Sequence, residues 1–310
     1  MTMIRRRIVI GLVLALALVA SACGSDDGSD TTAAAPLATT TVAPATTAAP
    51  TTVATTFDLV AAVADYESTI PEGWMSIGDT TAFKDAMTAG NPVVIDVREV
   101  GEYEAGHVEG AINIPLRTLS ENLDKIPTDQ QVLIYCKSGW RAGLGTSSLR
   151  MLGYDNVLAY VPGWNGWTAA DEPVSTDAVT AATFEVPTIE PELFDAVNSF
   201  LTTIPEGWLT AGDATAVQDA IAADAAVIDI RSEGEYADGY IAPAVNIVLR
   251  TITDNMDQIP TDTQAIAYCK SGWRASLSIP VFHVLGFDNV RGFSGSYLAW
   301  TDAGLPIETP

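Results

Sequence analysis

The chain has little with which to hold a metal or to staple itself together: its 310 residues include three cysteines and two histidines. Three cysteines exclude a disulfide scaffold, and two histidines exclude a histidine-rich metal centre. No metal or cofactor site is read from the sequence. Positive charge is also scarce, with 15 Lys and Arg against 39 Asp and Glu and a net charge of −24. A molecule this acidic repels nucleic acid and anionic headgroups, so no nucleic-acid partner is expected. What is present is apolar: 48% of the residues are hydrophobic. That excludes wholesale disorder, and the length gives room for two domains.

The first 22 residues read as a signal sequence. Arg5, Arg6 and Arg7 precede an apolar run from Ile8 to Val19 that is too short to span a bilayer comfortably. Ala20-Ser21-Ala22 ahead of Cys23 resembles the lipobox of bacterial lipoproteins. That resemblance implies lipidation of Cys23 and a cell-envelope protein held at the outer face of the membrane by its lipid alone. Ordinary cleavage with a free Cys23 is the alternative, and export follows from either. Removal of residues 1–22 leaves 12 bases against 39 acids, a net charge of −27. Within the following segment, 23–56, the stretch Thr31 to Thr56 contains only Thr, Ala, Pro, Val and one Leu. Such a segment has too little to bury, and at ~3 Å per residue it is a spacer several tens of Å long.

From Phe57 onward the chain repeats itself. TIPEGW at 69–74 recurs at 203–208, VVIDVREVGEYEAGHVEGAINI at 93–114 matches AVIDIRSEGEYADGYIAPAVNI at 226–247, and YCKSGWRA at 135–142 recurs at 268–275. A period of this length is a domain duplication, too long for a solenoid repeat. The expected domains are 57–176 and 190–310, joined by a Thr- and Pro-containing linker, 177–189. Runs such as Val93–Val97 and Val132–Tyr135 read as buried parallel strands. Asp79 and Asp213 read as helix N-caps, and a helix is expected after Trp140, with Gly153 ending it. The fold class is α/β, each unit having one mainly parallel central sheet with helices on both faces. Phe57–Glu67 and Glu192–Thr203 look like added helices leading into each unit, whose role is packing, with the other domain as one candidate surface and no functional role assigned.

The chemistry concentrates in Cys136-Lys137-Ser138-Gly139-Trp140-Arg141 and its repeat Cys269-Lys270-Ser271-Gly272-Trp273-Arg274. Each loop begins where a buried strand ends and finishes where a helix starts. That places a cysteine sulfur among backbone N–H groups at a helix N-terminus, where negative charge is favoured, and the flanking Lys and Arg act in the same sense. No histidine pairing is available to both copies, so activation rests on amides and fixed cations. A buried inert thiol, or a Cys136–Cys269 disulfide, is the alternative reading of the cysteines.

Both units resemble rhodanese domains, through IDVRE…EYEAGHVEGAINIPL followed by YCKSGWRA. The resemblance covers nearly all of 74–176 and 208–310. It implies sulfur transfer through a cysteine persulfide, from a small anionic donor such as thiosulfate to a thiophilic acceptor. Cys136 and Cys269 would be the nucleophiles, residues 137–141 and 270–274 would cradle the persulfide, and Lys137, Arg141, Lys270 and Arg274 would orient the donor. A non-catalytic sulfane-sulfur carrier or sulfur-oxyanion binding module is the alternative. Cysteine-dependent phosphatases of the same general fold place five residues between Cys and Arg; here there are four, which disfavours phosphatase-like hydrolysis.

Repeat-equivalent arginines outside the loops, Arg98/Arg231 and Arg117/Arg250, suggest an anion site, with ion pairing to nearby acids as the alternative for the first pair. The copies also differ. His107 becomes Tyr240, Gly110 becomes Pro243, and Pro280 falls where it is expected to kink or shorten the second post-loop helix. These differences favour Cys136 as the better catalyst. Trp140 and Trp273 are expected to cover the loop mouth or pack on neighbouring segments. His107 reads as structural, and Gly163/Trp167 and Ser296/Trp300 as docking the last helix of each unit.

Overall fold

The computed structural model describes residues 56–310. The signal sequence, Cys23 and the spacer up to residue 55 lie outside the described residues. The first half runs α1 (Leu59–Thr69), β1 (Ser76–Ile77), α2 (Thr80–Thr88), β2 (Val93–Asp96), α3 (Val100–Glu104), β3 (His107–Val108), β4 (Ile112–Asn113), a 3-10 segment (Leu116–Lys125), β5 (Val132–Tyr135), α4 (Trp140–Met151), β6 (Val157–Tyr160), α5 (Gly163–Ala169) and β7 (Val174–Ser175). The second half repeats this as α6 (Pro191–Thr203), α7 (Ala214–Ala222), β8 (Ala226–Asp229), α8 (Glu233–Ala237), β9 (Val245–Asn246), two 3-10 turns, β10 (Ala265–Tyr268), α9 (Trp273–Val284), β11 (Val290–Gly292) and α10 (Ser296–Asp302).

The first sheet has the order β1-β6-β5-β2-β4 and the second β11-β10-β8-β9, and every pairing within them is parallel. A parallel bridge between Thr210 and Gly292 stands where β1 meets β6 in the first half. Asp79 and Asp213 cap α2 and α7 by accepting from the Ala82 and Ala216 N–H groups at 2.8 and 2.9 Å.

Successive strand residues point to opposite faces, and this splits the apolar side chains into layers. Ile95, Ile134, Ile228 and Ala267 face one central core, which also contains α4, α9 and residues of α1 and α6. Val94, Leu133 and Tyr135 face an outer cluster with Phe83 and Trp167; Val227, Ile266 and Tyr268 face another with Val217 and Trp300. The two halves therefore share one core, and α4 and α9 form its middle. The halves meet so closely that a Cβ on Gly143 would lie 1.9 Å from Ser276 Oγ. Pro280 does not shorten α9, which has 12 residues, as α4 does. Burial on all sides, with Leu277, Ile279, Val281 and Phe282 fully enclosed, outweighs the local cost of a proline that propensity alone would emphasise.

The added helices are exchanged. Helix α6 of the second half packs on the 3-10 segment of the first, where Ser120 Oγ donates to Asn198 Oδ1 at 2.8 Å. Helix α1 packs reciprocally on the second half's 3-10 turns. There the Glu67 carboxylate accepts from the Ile252 and Thr253 N–H groups at 3.1 and 3.3 Å and from Thr253 Oγ1 at 2.6 Å. Burial pushes the Glu67 carboxyl from its ordinary 4.5 up to about 7; the hydrogen bonds from Thr253 and Ile252 oppose the rise and Asp254 adds to it.

The folded chain thus binds more proton here than the unfolded chain between those two values, and stability falls as pH rises through that window. Glu67→Gln removes the buried charge and keeps one of the two accepting oxygens, so one N–H donor loses its partner. The stability of Glu67→Gln relative to the parent is therefore expected to rise by about 2–3 kcal/mol between about pH 4 and about pH 8. Urea unfolding at both pH values checks this, and a difference between the two proteins that does not change with pH contradicts it.

Candidate active site

Each loop follows from its flanking elements. Strands β5 and β10 are fully buried and deliver Cys136 and Cys269 at 1% exposure, and α4 and α9 begin four residues later. Gly139 and Gly272 turn the chain with φ of +88° and +99°, and a Cβ at either would strike a carbonyl oxygen, Val161 O at 2.6 Å or Ser294 O at 1.9 Å. Only glycine fits both the conformation and the space. Lys137, Ser138, Lys270 and Ser271 form the exposed crest, while Trp140 and Trp273 are half-buried. Both cysteines are free. In the second loop the Gly272 N–H donates to Cys269 Sγ at 3.1 Å, so a backbone dipole points at the sulfur.

The loop arginines do not project into open space. Arg141 donates through Nη1 and Nη2 to the two Glu102 oxygens at 2.6 and 2.8 Å, and Arg274 forks on Glu235 at 2.6 and 2.7 Å. Burial opposes the Arg141 charge, but the Glu102 carboxylate and the Cys136 sulfur outweigh it and the guanidinium holds its proton more tightly than usual. The Arg274 guanidinium holds the Glu235 carboxyl down to about 2, against the opposing effect of burial. Glu102 and Glu235 are themselves fixed in the first turns of α3 and α8 by the Glu99 and Ser232 N–H groups. The loop positive charge is therefore rigidly placed and acts on the sulfur as a field.

The wall of each site comes from the opposite half. Trp140 Nε1 donates to Trp208 O at 2.8 Å, and the Trp208 ring lies 4.1 Å from the Arg117 guanidinium and 4.9 Å from that of Arg141. Reciprocally, Trp273 Nε1 donates to Trp74 O at 2.8 Å, and Trp74 lies 4.3 and 5.2 Å from Arg250 and Arg274. Trp74 and Trp208 have positive φ, 52° and 57°, a conformation disfavoured for a bulky residue and held by these cross-half contacts. Around Cys269 the result is a cavity of about 560 Å³ whose lining includes Trp74, Arg250, Cys269, Lys270, Ser271 and Arg274.

Arg98 and Arg231 are ion-paired with Asp96 and Asp229 at 2.6 Å, both fully buried, and those carboxylates also accept from the arginines' own N–H groups at 2.9 Å. His107 stacks on Tyr103 at 3.7 Å and Tyr240 on Tyr236 at 4.3 Å, so the two substitute for one another in packing. His107 also bonds the carbonyls of Tyr103 and Asp177. Trp167 and Trp300 are buried as dock points for α5 and α10. Gly163, with a Cβ position 2.5 Å from Cys136 O, gives way in the second half to Ser296 at φ 53°. The Ser296 hydroxyl accepts from Cys269 N at 3.1 Å and lies 3.7 Å from Cys269 Sγ.

With this geometry in hand, residues 79–170 and 213–303 both match the rhodanese-like domain family. The chain belongs to that family. The two rhodanese-like domains lie in tandem, in a family of sulfurtransferases. A sulfurtransferase of Allochromatium vinosum is 33% identical over 87 residues, 28% of this chain and 81% of that protein. The putative sulfur carrier protein YrkF of Bacillus subtilis is 30% identical over 92 residues, and the match spans 29% of this chain and half, 50%, of that protein. Among solved structures, a thiosulfate sulfurtransferase from Pseudomonas aeruginosa aligns with 81% of this chain and 70% of its own, at 16% identity and a TM-score of 0.33.

Three features of the rhodanese-like sites escape a reading of the sequence: the Glu102 and Glu235 clamps, the exchanged Trp74 and Trp208 walls, and the hydroxyl of Ser296. The repeated TIPEGW run signals the second, since neither strand nor helix formation calls for it.

Proposed function

We propose that this chain is an exported, lipid-anchored sulfurtransferase that moves sulfane sulfur from thiosulfate to a thiophilic acceptor through persulfides on Cys136 and Cys269. The Gly272 N–H aimed at Cys269 Sγ at 3.1 Å is the observation that carries this reading. With the Arg274 charge nearby, it favours negative charge on the Cys269 sulfur without a histidine. In the first step the cysteine thiolate attacks the outer sulfur of thiosulfate. The donor S–S bond breaks, sulfite leaves with the electron pair, and a new S–S bond forms on the cysteine. In the second, cyanide or a thiolate attacks the outer persulfide sulfur and the cysteine thiolate is released. No external oxidant or reductant is consumed, and no cofactor is required. Lys137 and Lys270, on the exposed crest, are suited to meet the anionic donor, with Ser138, Trp140, Ser271 and Trp273 completing the loops. The signal-like residues 1–22 and Cys23 support export and anchoring at the outer face of the membrane, the spacer carrying the domains away from it.

One mass-spectrometric experiment tests both parts. Protein from the membrane fraction, treated with thiosulfate and digested, is expected to carry one added sulfur on the Cys136 and Cys269 peptides and acyl chains on an N-terminal Cys23. Cyanide is expected to remove the added sulfur as thiocyanate. Absence of the sulfur adduct overturns the transfer mechanism, an adduct that no acceptor discharges reassigns the protein as a carrier, and an unacylated Cys23 overturns the anchor.

A further inference from the structure

The two pockets are built from the same parts but differ in charge. Beside Cys136, Arg117 pairs with Glu99 through Nη1 at 3.0 Å, places Nη2 on Pro205 O at 3.2 Å and Nε on Ile204 O at 2.8 Å. With Arg141 clamped by Glu102, both guanidinium charges at this site are matched by a carboxylate. Beside Cys269, Arg274 is likewise clamped by Glu235, but the counterpart of Glu99 is Ser232. Ser232 caps α8 by accepting from the Glu235 N–H and brings no charge. Arg250, the counterpart of Arg117, donates Nε to Ile70 O at 2.9 Å. Among the described residues it has no carboxylate within 4.0 Å, and neither Nη group has a protein acceptor.

Arg250 and Lys270 both line the cavity that contains Cys269. The carboxylate Glu72 at its rim has an equivalent, Glu206, in the other half, so the rim acids do not distinguish the two sites. Glu233, which stands where the first half has Val100, is exposed, lies outside the cavity lining and pairs with none of its cations. Among the groups that line the pocket or pair with its arginines, the net difference is therefore one unit of positive charge, with the two Nη groups of a planar fork free on one side of the pocket. Such a fork suits two oxygens of a sulfur oxyanion, and the nearby ammonium supplies the second charge.

We infer that the two loops differ in charge selectivity, the Cys269 pocket binding a doubly charged sulfur oxyanion such as thiosulfate more tightly than the Cys136 pocket does while a singly charged anion is bound alike by both, with position 99/232 setting the difference. This deepens the sulfur-transfer reading and rests on it for the identity of the donor, while its test needs no turnover. In Cys136→Ser and Cys269→Ser chains the remaining loop cysteine is alkylated with iodoacetamide in the presence of inert anions at constant ionic strength. Sulfate is expected to protect Cys269 at about one-tenth the concentration needed for Cys136, while methanesulfonate protects both alike.

Ser232→Glu is expected to raise the sulfate concentration that protects Cys269 about tenfold, and Glu99→Ser to lower that for Cys136 by a similar factor. Each change installs the residue that the other half already carries at the same helix N-cap, so both variants are compatible with the fold. Equal protection of the two cysteines, no protection of either, or no effect of the exchanges overturns the inference. Selective protection in a chain that transfers no sulfur overturns the enzymatic reading and leaves the selectivity standing; sulfur transfer with equal protection does the reverse.

Discussion

With Cys136 and Cys269 both changed to serine, sulfur transfer from thiosulfate to cyanide is expected to fall by at least about a thousandfold. Serine preserves the shape of a side chain that is 1% exposed in either loop, so the fold has no reason to change. Its hydroxyl is too weak a nucleophile at neutral pH to open the donor S–S bond. The single variants carry equal information. Each sulfur has its own loop, its own carboxylate-clamped arginine and its own tryptophan wall. The two sites are therefore expected to work in parallel, and the initial rates of Cys136→Ser and Cys269→Ser should sum to that of the unaltered chain. A relay from one cysteine to the other predicts instead that either substitution alone abolishes turnover. Thiocyanate formation measured for all four proteins separates these cases, and turnover that survives in the double variant ends the mechanism.

What could be read from the sequence is what depends on neighbours along the chain. Asp79 and Asp213 announce their helices because an N-cap is satisfied three residues on. The pairing of Arg98 with Asp96 spans two residues and was open to inspection in the same way. So was the loop itself, since a buried apolar run, a cysteine, a glycine and an arginine within a few positions are enough to define a turn onto a helix. The Arg141–Glu102 clamp, by contrast, joins positions 39 apart on elements whose relative placement only the sheet order sets.

The exchange of α1 and α6, and with it the Trp74 and Trp208 walls, is harder in principle. In a duplicated chain, a segment that packs on its own half and one that packs on the other have the same local sequence. Every periodicity and cap is preserved by the exchange, so the repeated TIPEGW run marks the segment without saying on which half it packs. Two of the differences between the copies, His107 against Tyr240 and Pro280 in α9, leave the local structure as it is in the other half. His107 and Tyr240 do the same stacking, and α9 keeps its length under the weight of the shared core. The difference that does reach a pocket, Glu99 against Ser232, is masked in the sequence by its neighbour, Val100 against Glu233, which keeps the number of acids at the two positions the same.

Gly143→Ala is expected to destabilise the folded chain by about 2 kcal/mol, although alanine is the better helix former by about 1 kcal/mol. The reason lies in where α4 and α9 cross. Gly143 and Ser276 are equivalent positions of the two repeats, 133 residues apart, and they face each other, so a pseudo-twofold axis passes between them. A Cβ on Gly143 would sit 1.9 Å from Ser276 Oγ, 2.6 Å from Ser276 Cβ and 3.0 Å from the Trp273 ring. Rotating the serine hydroxyl, which bonds Trp273 O at 2.6 Å, relieves the first contact and leaves the second. The helices must move apart, and the central core is close-packed on both sides of them. The axis therefore tolerates one Cβ between these positions, not two. Ser276→Gly removes the opposing Cβ and is expected to recover most of the loss when combined with Gly143→Ala, giving a coupling of about 1–2 kcal/mol in a double-mutant cycle followed by urea unfolding. A Gly143→Ala chain as stable as its parent, or additivity of the two changes, contradicts this account. Because each helix starts at a cysteine loop, the same separation is expected to lower sulfur transfer at Cys136 and Cys269 together, whereas a change confined to one pocket affects one.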